Sequence, residues 1–598
     1  MCCSRCLVLT VFVLLLLPAQ ARAESAVGDP SVPSSQKLAL SDLSDVVHPR
    51  VAELKPPSTS GINNGVLCKV TAASPKARKH VKEGYALVHA QWHFEAYRHF
   101  CAALAIDPEC IMAYAGVALA WIQPFNEYAQ YRDAATRRML ELVKADEANI
   151  QGGGEQRYRA SERRFVAAVA ALVNQKPQDA AGLFMSLAND EPDCLQAKMI
   201  GLFLNRGEYN VANEPSQARL GVLDELRKLM NDHPDNFMLM GFWLMLNSDA
   251  PNSSIDIKKE ILPYARYLAK ECSELPAWQH ALGHFEWRVG NYMLAERAFR
   301  QAIKLYEKWM AREQVSMGDC EGLIKSKCYL ANALYQMGDF NGAIEVAESL
   351  RALKPDPSRP QCAGNQVILW RAHHLPARLY LTRDGADNLQ SALRSLPTKE
   401  ELRPYVTDEK FPTLAGVYVE ALAAYIGCRQ AIEQKSMKDA HSLRNTRLRG
   451  LIRQLAAVAE GAMKSPDFTH YFNAGSSLAI YDTELAGLIA LADDTSASPM
   501  ALNHFMSARD KQGVPSLMMP PLVLSPMENR VGDYYHSIGR HADAYEAYYQ
   551  GLVRYPHNMA SLQGVRVALI NMGEAQEAQR VAEHMKLIRQ SKGSGQAN

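Results

Sequence analysis

The sequence lacks charge imbalance and, beyond its first residues, it lacks closely paired cysteines and any long apolar run. Lys plus Arg number 65 against 64 Asp plus Glu, a net charge of +1. Such a balance gives no general attraction for nucleic acid or anionic lipid. The basic clusters Lys76-Ala77-Arg78-Lys79-His80 and Arg444, Arg447, Arg449 and Arg453 read as solvated helix faces and ends. No segment after the leader is apolar enough to cross a bilayer. Even Phe237 to Leu246 is ten residues, about half of what a spanning helix needs. Among the nine cysteines after residue 23 no CxxC pair occurs, which removes zinc-ribbon and thioredoxin-like chemistry. No Gly-x-Ser-x-Gly elbow is present, and the cysteines carry no local protease signature. Gln151-Gly152-Gly153-Gly154 lacks the Lys-Ser/Thr of a phosphate loop and reads as a link.

What is present is length and apolar content: 598 residues, 48% hydrophobic. That is enough for several domains or one extended repeat array with a continuous core. Residues 1–23 read as a secretory signal peptide: Arg5, the apolar run Leu7 to Leu17, Pro18, then Ala21-Arg22-Ala23. Cleavage is expected between Ala23 and Glu24, giving a secreted or periplasmic protein with no integral membrane segment after processing. Nine cysteines follow the cleavage site. An oxidising compartment permits disulfides, and the odd number leaves at least one thiol outside any intrachain pair. Residues 24–75 are Ser- and Pro-rich and read as an exposed, mostly irregular leader with one short helix near Leu38 to Val47. Residues 591–598 read as a tail.

Between residues 76 and 590 a spacing recurs. Gly84 is followed by Ala96, Phe100, Ala103 and Pro108, and the same intervals give Ala168, Ala180, Phe184, Leu187 and Pro192. They return at Gly283, Ala295, Phe299 and Ala302, and at Ala331, Ala343, Ala347, Leu350 and Pro355. Near the C-terminus they give Gly532, Ala544, Tyr548, Gly551 and Pro556, then Ala578, Ala582 and Met585. A turn often sits five residues before the central alanine, as at Gly290-Asn291, Gly338-Asp339, Gly539-Arg540 and Gly573-Glu574. This is a helix, a tight turn and a second helix stopped by proline. Small residues let the pair approach, and the large residue one turn later fills the gap to the neighbouring unit. Ala295 is expected where the two helices of its unit cross. One pair cannot bury its own apolar stripe, so units must stack.

These units resemble tetratricopeptide repeats, about 34 residues each. Six stand out, near 78–110, 161–194, 276–309, 324–357, 525–558 and 559–590. The expected fold is therefore all-α, a right-handed superhelical solenoid of helix-turn-helix repeats. A narrower resemblance is to a family of large secreted bacterial repeat proteins without an assigned activity. It is carried by Gly84 to His89, Glu95-Ala96, Asp107 to Cys110, Met112 to Gly116, Pro520 to Val523 and Pro556-His557-Asn558. Where that family often has further histidines after His233-Pro234, this chain has Phe237, Met238 and Leu239.

One septet occurs twice, as His89-Ala90-Gln91-Trp92-His93-Phe94-Glu95 and His280-Ala281-Leu282-Gly283-His284-Phe285-Glu286. Histidines four apart on a helix share a face and can share a divalent metal. His93 falls beyond the turn that follows His89, so only His280 and His284 keep one face. They are the candidate metal pair, although no metal or other cofactor is expected. His373-His374 reads as a polar helix end, and Asn252-Ser253-Ser254 is a glycosylation sequon in a eukaryotic setting.

In such repeats the first helix of each unit lines the concave groove. His280, His284, Trp287 and Arg288 should face it, joined by Lys325, Asn332, Tyr335 and Gln336 from the next unit. Aromatic, basic and amide groups together suit a protein or extended peptide partner. The expected function is an exported, non-enzymatic scaffold binding protein or peptide in this groove. The alternatives are a metal-dependent or hydrolytic enzyme using the groove histidines and a structural component of an envelope assembly.

Overall fold

A computed structural model describes residues 39–59, 69–123, 126–210, 213–405, 413–458, 468–493, 498–515 and 520–590. The signal peptide expected at residues 1–23 and the tail expected at residues 591–598 lie outside these residues. Among them the chain is helical throughout, and its only extended pairing is an isolated bridge between Tyr209 and Pro215. The chain is an all-α helical repeat protein. It divides into two compact units, one ending at Leu246 and the other beginning at Asn247.

In the first unit the helix Pro75–His89 starts where the Ser74 hydroxyl accepts from the Ala77 amide, with Pro75 at a position that needs no donor. Gln91, at φ 60°, turns the chain back into the helix His93–Ile106. Phe100 is fully buried between two glycines. A Cβ on Gly84, in its own unit, would lie 2.6 Å from the ring, and one on Gly116, in the next helix Ile111–Ala120, 2.2 Å. The small–large spacing is therefore one aromatic ring clasped between successive first helices. The same device recurs in the second unit, where Tyr548 presses on Gly532 and Gly564.

The leader differs from the exposed segment expected. Its described part carries a 3-10 turn at Leu40–Leu43 and a short helix at Pro49–Ala52. Val46, Val47 and Val51 are buried. The Tyr97 hydroxyl donates to the Val46 carbonyl at 2.8 Å, and Arg98 donates to the Lys55 carbonyl at 3.0 Å. Three valines supply the apolar contact, a signal masked by the surrounding Ser and Pro.

The second unit contains the pairs Pro276–Arg288 with Tyr292–Glu313, Glu321–Gln336 with Phe340–Arg351, Glu528–Ser537 with His541–Arg554, and Met559–Asn571 with Ala575–Gln590. Ala295 is fully buried at its crossing. Gly290 and Gly338 turn with φ near +83°, a conformation that glycine adopts without a Cβ penalty. Two further pairs escaped the spacing. Lys435 takes the left-handed turn position (φ 59°) five residues before the buried Ala440. Further on, a Cβ on Gly487 would meet the Phe505 ring at 2.5 Å, but at an interval of 18 residues rather than 16. A lysine in place of glycine and a two-residue insertion hid them. The helical path widens to π geometry at Ile368–Ala372 and, continuing the second helix of the Lys435 pair, at Leu443–Leu448.

Candidate functional site

The six side chains expected to line an open groove are all buried, between 0 and 9% exposed. Each has its own reason. His280 lies with Nδ1 2.9 Å from Ser326 Oγ, and that hydroxyl gives its hydrogen to the Gly322 carbonyl. The imidazole must therefore donate from Nδ1. His284 places Nδ1 3.2 Å from the Tyr329 hydroxyl. Burial holds its pKa well below the ordinary value, helped by the charge of Arg288. The Tyr329 ring stands across both imidazoles at 5.5 Å. These contacts make the pair a packed aromatic cluster. Among the described residues no group of three or more His, Cys, Asp or Glu is arranged to hold a metal ion.

Arg288 is spent on its own chain, donating to the carbonyls of Ser248 and Ala250 and to the Asn252 side chain. Trp287 packs edge-on against Tyr555. Asn332 accepts from Gln336, which in turn accepts from Asn558. Lys325, expected on the same wall, is buried and paired with Glu321 at 2.7 Å. Tyr335 places its hydroxyl 3.2 Å from Ser525 Oγ. The face formed by these first helices is thus occupied by later parts of the same unit, residues 520–527 and 555–558. His373 and His374 also differ from the polar helix end expected. Both are buried, with Nε2 atoms on the Leu353 and Trp370 carbonyls.

The 520–527 segment, rich in proline, is held through its backbone. Arg371 donates to the Pro520 carbonyl at 3.1 Å, Arg378 to those of Pro521 (3.0 Å) and Leu522 (3.3 Å), and Tyr481 to Leu522 (3.4 Å). The Gln512 amide group donates to the carbonyls of Val523 and Ser525, and its oxygen accepts from the Met527 amide. Proline removes backbone donors and favours extended structure, so carbonyls are what a partner can grip. Arg371 and Arg378, two helical turns apart, were the sequence signal for this grip.

Beside the segment lies a cavity of about 300 Å³, lined among others by Tyr425, Glu484, Arg530, Asp384, Asp533 and Tyr548. Arg530 is its centre, donating to Glu484 at 2.7 Å and to both oxygens of Asp384 at 3.0 Å. Tyr425 donates to Glu484 and Tyr548 to Asp533, each at 2.7 Å. Burial, with Glu484 adding, raises the pKa of the Tyr425 phenol. Each of these carboxylates is engaged by a cation or a phenol.

No protein-family model matches the sequence. No curated protein matches it either. Among solved structures, the crystal structure of yeast Tom70 covers 85% of this chain and 91% of its own, at 12% identity and a TM-score of 0.26. The crystal structure of the P58(IPK) TPR domain covers 84% of this chain and 99% of its own, at 12% identity and a TM-score of 0.17. Likenesses this loose add nothing to the helix pairs and clasped rings described above.

Proposed function

We propose that this chain is an exported scaffold that binds an extended, proline-containing segment of a partner protein on the first-helix face of its second unit. One observation carries the reading. Beside that face, where Tyr335 meets Ser525, the unit already grips an extended segment of its own chain, 520–527, through side-chain bonds from Arg371, Arg378 and Gln512 to its backbone carbonyls. Main-chain recognition with pockets for alternate side chains is how grooves take extended peptides. A partner reaching Tyr335 displaces Ser525, so His280, His284, Trp287, Arg288 and Asn332 act as the packed floor beneath the exchange. Export is supported by Cys194, which is disulfide-bonded, since such bonds persist in oxidising compartments. The motifs shared with secreted bacterial repeat proteins fit the same placement. Cross-linking of the full-length protein to its partner in the native source, read by mass spectrometry, tests the site. Cross-links on Tyr335 and residues 520–527 are expected. Cross-links confined to the second helices of the repeats overturn it.

A further inference from the structure

The charged groups around the cavity beside residues 520–527 are not equally open to an incoming molecule. The side chains of Asp384 and Asp533 are 65% and 53% exposed. Arg530 is 16% exposed, and Glu484, Arg378 and Arg429 are buried. The cations are also committed. Arg530 divides itself among Glu484, Asp384 and Asp533, and Arg429 adds a second contact to Asp384. Three carboxylates therefore share two cations. Arg378 gives its Nη hydrogens to the carbonyls of Pro521, Leu522 and Arg371. What the open space meets first is acid. Asp533 is the least satisfied of the three carboxylates. Its Oδ1 accepts from Tyr548, while its Oδ2 meets Arg530 only at 3.7 Å, beyond hydrogen-bond length. Burial raises its pKa, with Arg530 opposing the shift. A side chain that water reaches while protein surrounds it lies on the wall of a concavity.

The volume of about 300 Å³ is at the lower end of the roughly 300–1,000 Å³ that ligand sites occupy, which suits one long side chain. Leu381, Val523, Ala560 and Val567 line the same space as Asp533. An alkyl stem bearing a cation fits both, burying its methylenes on the apolar walls and giving its hydrogens to the carboxylate. We propose that the cavity receives the side chain of a lysine or arginine, its ammonium or guanidinium held by Asp533 Oδ2. An anionic group would meet Asp384 and Asp533 first, and an apolar one would desolvate Oδ2 without offering it a donor. Residues 523–527 form one wall of the cavity, so a peptide docked in their place passes its opening and reaches in with one residue. The source of that side chain rests on the proposed function, whereas the preference of the cavity for a cation does not.

Calorimetric titration of the full chain with n-butylguanidinium, n-butylammonium and the neutral n-butylurea, at matched ionic strength, tests the cavity without any peptide. Both cations should bind about tenfold or more tightly than the urea, the worth of one hydrogen bond to a charged group. Asp533→Asn keeps an acceptor for Tyr548 and should erase that preference. If this variant fails to fold, Val567→Phe, which narrows the cavity and leaves every charge in place, should abolish binding of both cations. No binding by the wild type, equal binding of cation and urea, or a preference undiminished in the variant overturns the proposal. Cation binding without the cross-links at Tyr335 strikes the docked segment and leaves the cavity, while cross-links without a cation preference strike the cavity alone.

Discussion

Trp287 and Tyr555 meet edge to face, with ring centroids 5.6 Å apart and planes at 71°. Residues on the second unit's early and late repeats thus share one packed contact. Trp287→Ala leaves a large void in this contact and should cost about 3–5 kcal/mol. Urea unfolding of the variant measures it. An unchanged midpoint would mean that Trp287 faces solvent as the repeat pattern alone implied.

The clasped ring in the first unit gives a sharper test of repeat packing. Gly116→Ala puts a methyl group 2.2 Å from the Phe100 ring, and overpacking of this kind costs roughly 1–3 kcal/mol. Phe100→Leu in the same chain should recover part of the loss. If the two losses simply add, the ring and the glycine are not coupled.

Arg530 sits between Glu484, whose side chain is 2% exposed, and Asp384. Arg530→Met removes the ion-pair partner of the buried Glu484 and leaves it hydrogen-bonded to Tyr425, a loss of about 3–5 kcal/mol. Adding Glu484→Gln should restore much of that stability. A double variant no better than the single one argues against the ion pair in solution.

His80 and His99 place their Nδ1 atoms 3.1 Å apart in the first repeat, with Lys76, Lys79 and Arg98 nearby. Burial first, then Lys76 and Lys79, lowers the His80 pKa from 6.5 to about 4. His99 is lowered too, by burial and then by His80. The unfolded chain therefore takes up protons that the folded one refuses. Stability is full above about pH 6.5 and declines as pH falls toward 4. Urea midpoints across that window should drop for the wild type and drop less for His80→Gln. Equal slopes for the two chains would remove His80 from the effect.

Export has its own readout. N-terminal sequencing of the mature protein should begin at Glu24, because Ala21 and Ala23 sit where signal peptidase requires small residues. Retention of Met1 would count against both the signal peptide and the exported reading.

The helix pairs were legible because their determinants are local. Alanine at the crossing, an aromatic four residues later, a turn five before and a terminal proline all lie within one unit. The Lys435 turn and the Gly487–Phe505 pair escaped for equally local reasons, an unusual turn residue and an inserted loop. The site was less legible because its contacts are not local. Nothing near Trp287 in sequence announces Tyr555, and nothing near Arg371 announces Pro520. A helical face of His, Trp and Arg looks the same whether it meets water or another part of its own chain, and only the partner segment decides which.

Tyr292 bonds the Pro556 carbonyl 264 residues downstream, and His557 reaches back to the Gly290 carbonyl across 267. On the ribosome, the early helices of this unit emerge and pair long before their counterpart exists. Until residues 555–558 are synthesised, Trp287 and its neighbours present an uncovered apolar surface. Chains interrupted before that point are substrates for chaperones or aggregation rather than shorter working versions of the protein.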